Sequence, residues 1–270
     1  MLASAAIALL LAATSPTPAW ESPDPEHIIN QITAGKLDAA AIADMCHAAM
    51  AADDHYWVLQ IEELLPETSP LRDNAAILGE LAAANLLQGN DGIARHELLR
   101  AIELDRANPD NHNNLGVIYR RKGLYMDAEV EIRAAIALAP ERPEPHHNLA
   151  VVLLRLNKVD EAIEELRTAI SQDRNYTPAL RLGGFLALEK GDNQSSVNLL
   201  ESYFDKMVAK DPEFTDDDAA GWLEEARNNL EAIKKGELEP GGVPNDSAGK
   251  DKKTNVKSSQ SQTEVRDEKD

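Results

Sequence analysis

Three of the histidines are the first candidates for chemistry in this chain. His112 and His146 stand 34 residues apart, and His147 follows His146 directly. Imidazole is a common metal ligand, but two imidazoles without a nearby carboxylate make a poor zinc shell. We therefore predict no metal site, and we expect His112 and His146 to fill equivalent packing positions.

The single cysteine is the second candidate. Cys46 precedes His47, and a thiolate–imidazole pair would act as a nucleophile. The alternative is a buried thiol on an alanine-rich helix predicted over residues 37–52. One cysteine excludes an internal disulfide, a CxxC redox pair and a multi-cysteine zinc site. Because no phosphate loop, GxSxG or HExxH motif is present, we predict no catalytic residue and no cofactor, and hence a protein that is not an enzyme.

Composition narrows the class of partner and the class of fold. The 270 residues include 47 acidic and 27 basic side chains, which gives a net charge of −20. Nucleic-acid backbones are held mainly by Lys and Arg, so no nucleic-acid partner is expected. Aromatic residues make up only 4% of the chain. Alanine and leucine dominate the apolar residues, which favours helices over strands.

Residue types recur with a period of 34. Counting positions 1 to 34 within each unit, positions 7 and 8 are apolar or small, on the stripe by which the first helix packs on a neighbour. Position 20, in the second half of the unit, is small, which lets helices approach closely. The residues at positions 7 and 8 are Leu81-Ala82, Leu115-Gly116, Leu149-Ala150 and Gly183-Gly184, and those at position 20 are Ala94, Ala128, Ala162 and Ser196. Position 15 carries Gly89, Gly123, Asn157 and Gly191. Glycine and asparagine there predict left-handed backbone between two helices.

The unit 109–142 carries a family resemblance. The residues that carry it are His112, Leu115, Gly116, Tyr119, Ala128, Ile132, Ala135 and Pro140. This pattern resembles the tetratricopeptide repeat (TPR) family, with His in place of Trp and Ile in place of Phe. The resemblance implies an all-α, right-handed α-solenoid of about four clear repeats, at 75–108, 109–142, 143–176 and 177–212.

The flanking segments have different compositions. Residues 2–13 are apolar and uncharged, and small residues precede Trp20, so 1–19 is predicted to be a secretory signal peptide that directs the chain to the periplasm or the medium. An uncleaved anchor and a cytosolic chain remain as alternatives. Residues 20–74 are predicted to form divergent helices at 26–34, 37–52 and 55–65, residues 213–235 a C-terminal capping helix, and residues 236–270 a disordered tail.

The resemblance also implies a binding surface, since first helices line a concave groove in this family. The predicted peptide-groove residues are Asn113, Asn114, Val117, Arg120, Arg121, His147, Asn148, Val151, Arg155, Arg181 and Phe185. Asn114 and Asn148 share position 6, where a side-chain amide can donate to and accept from the backbone of an extended peptide. The alternative is that both are ordinary surface asparagines.

Charge is unevenly distributed between first and second helices. The arginines of the groove set lie on first helices, and we expect the acids of the second helices to face outward, at Glu129, Glu131, Asp160, Glu161, Glu164 and Glu165. Such a distribution would attract acidic partner segments. We expect an exported non-enzymatic scaffold that binds an extended peptide or a partner's helix and supports assembly of an envelope complex, without membrane contact after signal cleavage. The alternative is a structural homo-oligomer formed by end-to-end stacking of repeats.

Overall fold

The computed structural model describes residues 22–66 and 69–241, and in these ranges the regular structure is helical. The predicted signal peptide lies outside the described residues, as does the tail from 242 onward. Twelve α-helices and one short 3₁₀ helix are seen in the described ranges. The α-helices are α1 Pro25–Thr33, α2 Ala39–Ala51, α3 His55–Leu64, α4 Ala75–Leu87, α5 Asp91–Leu104, α6 Pro109–Arg121, α7 Tyr125–Leu138, α8 Pro143–Arg155, α9 Val159–Gln172, α10 Thr177–Glu189, α11 Asn193–Lys210 and α12 Asp217–Lys234.

The chain divides into two compact units, Met1–Leu115 and Gly116–Asp270. In the first unit, aspartates begin the helices predicted upstream of the repeats. The carboxylates of Asp24, Asp38 and Asp54 accept from backbone N–H groups in the first turns of α1, α2 and α3, which satisfies donors that a helix leaves unpaired. Three capped helices thus precede residue 75 in the described part of the chain.

These helices and α4 share one apolar core. Its buried members include Ile28, Ile42, Cys46, Trp57, Val58, Ile61, Leu71, Ile77 and Leu81. The 3₁₀ helix Pro70–Asp73 joins α3 to α4. Arg72 in this helix donates to the carbonyl oxygens of Glu62, Leu65 and Pro66, and so caps the C-terminal end of α3.

The turns between paired helices have the backbone that position 15 predicted. Gly89, Gly123 and Gly191 have φ of 76°, 73° and 74°, and Asn157 has φ of 59°. Each residue ends the first helix of a pair and lets the chain turn into the second. The prediction from residue type is confirmed at all four sites.

Small residues at position 8 let paired helices in the second unit pack closely. A Cβ added at Gly116 would lie 2.4 Å from Ile132 Cγ1, and one added at Gly184 would lie 2.6 Å from Leu200 Cγ. In the repeat between them, Ala150 is fully buried at the same position. The stripe of small residues thus sets the spacing within each helix pair.

The last helix pair is longer than the others and carries the capping helix. α11 has 18 residues, whereas α7 and α9 have 14. Its Leu200 and Tyr203 are buried in a core shared with Leu223 and Ala226 of α12. The helix α12 has Asp216 as its N-cap, and Gly236 follows its end with φ of 74°.

Candidate functional site

The histidines singled out by the sequence are engaged within their own repeats. His146 Nδ1 lies 2.6 Å from Glu165 Oε2, and its Nε2 lies 3.0 Å from the Pro140 carbonyl oxygen. Both contacts favour the protonated ring, because an imidazolium donates from both nitrogens. The hydrogen bond with Glu165 raises the pKa of His146 although burial opposes it. His112 Nε2 makes the equivalent contact with the carbonyl oxygen of Arg106, at 3.2 Å.

Within the described ranges, no three His, Cys, Asp or Glu side chains come together as a metal site. The cysteine is also unsuited to nucleophilic chemistry. Cys46 is fully buried, and burial, followed by the charge of Glu80, raises the pKa of its thiol to about 12. Its neighbour His47 is 77% exposed and contacts Glu80 Oε1 at 3.0 Å. The two side chains therefore point to different environments, and the thiol remains protonated at neutral pH.

The predicted groove residues fall in both units, which we describe separately. In the first unit, Asn113 and Asn114 lie on α6 and are partly buried. Asn111 on the same helix is buried, and a Cβ added at Gly79 would meet its Oδ1 at 2.6 Å. The side-chain amide of Asn114 remains a predicted contact.

In the second unit, the end of α6 and the beginning of α8 lie side by side. Burial, followed by the nearby guanidinium of Arg120 on α6, lowers the pKa of His147 on α8 to about 4. A hydrogen bond with Asn148 opposes this shift. The His147 ring also makes an edge contact with Tyr176 at 5.7 Å. His147 is therefore neutral at physiological pH, and the positive charge of this surface comes from arginine.

The other predicted residues of α6 and α8 extend the same surface. Val117 and Arg121 on α6 and Val151 on α8 are partly buried, and Arg155 at the end of α8 is exposed. We call the set Val117, Arg120, Arg121, His147, Asn148, Val151 and Arg155 the groove face. It combines arginine charge, one side-chain amide and two valines.

The last two predicted residues, Arg181 and Phe185 on α10, are covered by α12. Arg181 Nε donates to Asp216 Oδ2 at 2.6 Å, and its guanidinium lies 5.0 Å from the centre of the Trp222 ring. The Phe185 ring lies 4.7 Å from Trp222. The capping helix thus places a carboxylate and an aromatic ring on the first-helix face of the fourth repeat.

Asp216 is the centre of this contact. Its carboxylate also accepts from Tyr203 Oη at 2.8 Å and from the Ala219 N–H at 3.0 Å. Burial alone would raise the pKa of Asp216, but the hydrogen bonds from Arg181, Ala219 and Tyr203 lower it. The same Asp216 carboxylate therefore caps α12 and pairs with Arg181.

One expectation about the second helices is wrong. Glu129 was expected to face outward, but it is only 8% exposed. Its carboxylate accepts from Lys158 Nζ at 2.8 Å and from Arg133 Nη2 at 2.8 Å. Two cations, Arg133 one turn along α7 and Lys158 at the N-cap of α9, compensate the burial of this charge. By contrast, Asp160, Glu161 and Glu164 are exposed.

The sequence reasoning missed the contact between Asp216 and Arg181, which are 35 residues apart. A partial signal was present, because Asp216 lies near the start of the predicted capping helix 213–235 and Arg181 is one of the predicted groove residues. Nothing in the repeat pattern indicates that the capping helix begins against that face, since α12 lies outside the period.

Comparisons with known proteins agree with this architecture. Two family models described as tetratricopeptide repeat match residues 120–182 and 97–130. A search of curated proteins gave no match. In the described part of the chain, every helix is too short or too polar to span a bilayer.

Solved structures with the same architecture are repeat proteins of distant sequence. PilF of Pseudomonas aeruginosa is 16% identical with a TM-score of 0.57, and the match covers 73% of this chain and 91% of PilF. Cut9 of the APC/C Cut9–Hcn1 heterotetramer is 18% identical with a TM-score of 0.61, over 75% of this chain and 39% of Cut9. MamA is 20% identical with a TM-score of 0.50, over 62% of this chain and 96% of MamA.

The recurring helix pairs, the left-handed turns at position 15 and the two family matches lead to one conclusion. The chain is similar to tetratricopeptide repeat proteins over residues 97–182, and the all-α fold of the described residues points to a scaffold for protein–protein interaction.

Proposed function

We propose that this protein is an exported, non-enzymatic scaffold that binds an acidic segment of a partner protein, as an extended peptide or a helix, on the groove face. The groove face lies on first helices, and its charge comes from Arg120, Arg121 and Arg155. In a chain of net charge −20, a local arginine cluster favours a partner segment of negative charge.

The observation that carries this proposal is the contact between Arg181 and Asp216. The chain's own acidic and aromatic segment binds the first-helix face of α10, with a carboxylate on Arg181 and the Trp222 ring on Phe185. This intramolecular contact supports an acidic and aromatic segment as the ligand of such a face. The groove face presents arginine beside valine, so a partner segment that combines acidic and apolar side chains would bind it in the same manner.

Asn148 would give the groove face its backbone contacts. A side-chain amide offers one acceptor and two donors, which match the N–H and C=O groups of an extended peptide. Asn148 also hydrogen-bonds His147, which holds its amide in place. Asn114 shares position 6 and remains a proposed second contact of the same kind.

Export and an envelope role are part of the proposal and depend on the sequence of residues 1–19. If the apolar run is a signal peptide, the protein isolated from its host will begin at Trp20 and will be found in the periplasm or the medium. A protein that retains Met1 and fractionates with the cytosol would remove this part of the proposal and leave the groove face unaffected.

The central experiment is affinity capture of the full chain from an envelope fraction, quantified by mass spectrometry. Arg120→Glu combined with Arg155→Glu reverses two charges on the groove face and is expected to lose a specific protein partner. Lys122→Glu is the matched control, because Lys122 is an exposed base just after α6. Equal capture by all three proteins would contradict the proposal.

The structural homo-oligomer is the competing function. In the first unit, Tyr56 is 62% exposed and Leu64 is 39% exposed, which leaves apolar surface near α3. Sedimentation over a concentration series separates the two functions: growth in size with concentration, together with capture of nothing but the chain itself, would favour the oligomer.

A further inference from the structure

A cavity of about 500 Å³ lies between α9, α10 and α11, within the second unit. It is lined by Ile163, Leu166, Arg167, Ile170, Ser171, Arg174, Gly183, Leu186, Ala187, Lys190, Asp192, Ser195, Asn198 and Leu199. None of these residues belongs to the groove face. The cavity is therefore separate from the groove face, and a ligand bound in it would be distinct from the proposed protein partner.

The repeat pattern explains why the cavity exists. Position 7 is leucine in the third repeat, where Leu149 is fully buried, but it is Gly183 in the fourth. Position 11 is Leu153 in the third repeat, also fully buried, but it is Ala187 in the fourth. Two large apolar side chains that fill the preceding repeat are missing here, and the space they would occupy stays open.

The space at Gly183 can accept a side chain. A Cβ added there would lie 3.4 Å from Leu199 Cδ1 and 3.5 Å from Ile170 Cδ1, which is ordinary van der Waals contact. By contrast, a Cβ added at the adjacent Gly184 would clash with Leu200 at 2.6 Å. Glycine is therefore required at position 8 of this repeat by close packing, whereas at position 7 it leaves room.

The wall and the rim of the cavity differ in chemistry. The wall is aliphatic, and its Leu166 and Leu186 are only 2% and 5% exposed. The rim carries three bases, Arg167, Arg174 and Lys190. The one acid among the lining residues, Asp192, accepts from the Ser195 N–H at 3.1 Å as the N-cap of α11.

Two of the rim bases have acidic neighbours at the surface. Arg167 pairs with Glu164 at 2.7 Å and Lys190 with Asp160 at 2.9 Å. Such exposed pairs contribute little free energy and exchange partners easily. Within the described residues Arg174 makes no ion pair, and it occupies the position where Pro140 stands in the second repeat.

We propose that this cavity binds a linear aliphatic carboxylate, with the hydrocarbon chain against the aliphatic wall and the carboxylate at Arg174 and Lys190. The volume lies within the range of roughly 300–1,000 Å³ that small-molecule sites have. The apolar wall favours a hydrocarbon chain over a polar one. The rim bases provide hydrogen-bond donors and positive charge for the carboxylate.

The test is isothermal titration of the full chain with octanoate, decanoate and dodecanoate below their micelle concentrations. We expect saturable 1:1 binding, and each added methylene that enters the cavity should raise the affinity about fourfold. Decanol has a hydrocarbon chain of the same length without the charge, and it is expected to bind about two- to fivefold more weakly than decanoate.

Variants that restore the large side chains make the test specific to the cavity. Gly183→Leu and, independently, Ala187→Leu should weaken dodecanoate binding about tenfold or more, because they take the place of the ligand's methylenes. Gly221→Leu on α12 is the matched control, since a Cβ there meets nothing within 4 Å. Thermal melts followed by circular dichroism should show that Gly183→Leu is folded, since leucine favours a helix over glycine.

The rim is tested separately by Arg174→Gln combined with Lys190→Gln. These changes should weaken decanoate binding about two- to fivefold and leave decanol binding unchanged. An absence of saturable binding by the wild-type chain would overturn the proposal. So would equal dodecanoate affinity in wild type, Gly183→Leu and Ala187→Leu.

One competing occupant is the chain's own tail. Gly241 reaches Gly191 beside the rim, so that a Cβ added at Gly191 would meet the Gly241 carbonyl oxygen at 2.5 Å. If the wild-type chain does not bind dodecanoate, while Gly183→Leu shifts the backbone amide NMR signals of residues 242–246, the cavity belongs to the tail. That result would overturn the carboxylate proposal and leave the groove face untouched.

Discussion

The third and fourth repeats have the same helix pair but differ in what their surfaces leave open. In the third, Leu149 and Leu153 fill the interior and the outer residues of α8 form part of the groove face. In the fourth, Gly183 and Ala187 leave a cavity, while Asp216 and Trp222 of α12 cover the first-helix face. The period therefore determines the architecture, and substitutions at fixed positions determine where a ligand can bind.

The largest expected effect comes from making the third repeat resemble the fourth. Leu149→Ala removes a fully buried side chain and is expected to lower the free energy of unfolding by about 2–5 kcal/mol. The reverse change in the fourth repeat, Gly183→Leu, is expected to raise it by up to about 1 kcal/mol. Urea unfolding followed by circular dichroism measures both, and destabilisation of similar size by both variants would contradict the comparison.

Uncovering α10 is the second way to reduce the difference between the repeats. Asp216→Ala removes the partner of Arg181, the acceptor of Tyr203 and the N-cap of α12, and should cost about 3 kcal/mol. Asp192→Ala removes the N-cap of α11, where the carboxylate accepts from Ser195 N–H, and should cost only about 1 kcal/mol. Thermal unfolding of both variants tests this, and equal losses would show that the Arg181 contact contributes nothing.

Position 8 provides a third test, because the third repeat has alanine there and the fourth has glycine. Gly184→Ala places a Cβ 2.6 Å from Leu200 Cγ and is expected to lower the free energy of unfolding by about 1–3 kcal/mol. Gly221→Ala, in open space on α12, should raise it by about 0.5–1 kcal/mol. A stabilised Gly184→Ala variant would mean that the helix pair is not held at this spacing.

The last comparison concerns the glutamate at position 23, whose contribution to stability depends on pH. In the third repeat, Glu165 pairs with His146, but in the first repeat Glu97 is buried and accepts from Asn85. Burial and then the charge of Glu62 raise the pKa of Glu97 to about 8. The folded state therefore binds a proton that the unfolded state has released, so stability falls as pH rises from the unfolded pKa toward 8.

Glu97→Gln should remove this contribution. Compared with wild type, its free energy of unfolding should decline less between about pH 5 and 8, with a difference of up to about 1.4 kcal/mol per pH unit. Glu63→Gln, at an exposed site on α3, is the control and should keep the wild-type slope. Parallel pH profiles for wild type and Glu97→Gln would contradict the assignment.

The sequence predicted the fold more fully than the site. The 34-residue period and the glycines at position 15 predicted the helix pairs and their turns, because both follow from local backbone preference and a repeated packing stripe. The burial of Glu129 could not be predicted, since its compensation comes from Lys158, which lies 29 residues further along the chain.

The cavity and the covered face differ in how much the sequence revealed of them. The substitutions that open the cavity are visible in the repeat pattern, which has glycine and alanine at the positions that hold Leu149 and Leu153 in the preceding repeat. The cover over Arg181 and Phe185 depends on where α12 begins in space, and no periodic pattern specifies that. A comparison between repeats thus reveals a missing side chain within a repeat more readily than a contact made by a helix outside the period.

Site-specific photo-crosslinking in the native host tests the central claim most directly. A photoreactive phenylalanine derivative at Val151 lies on the groove face, and one at Val130, which is 65% exposed on α7, provides a control on a second helix of the same unit. We predict that a partner protein crosslinks to the Val151 position and not to the Val130 position. A partner that crosslinks only at Val130 would contradict the account.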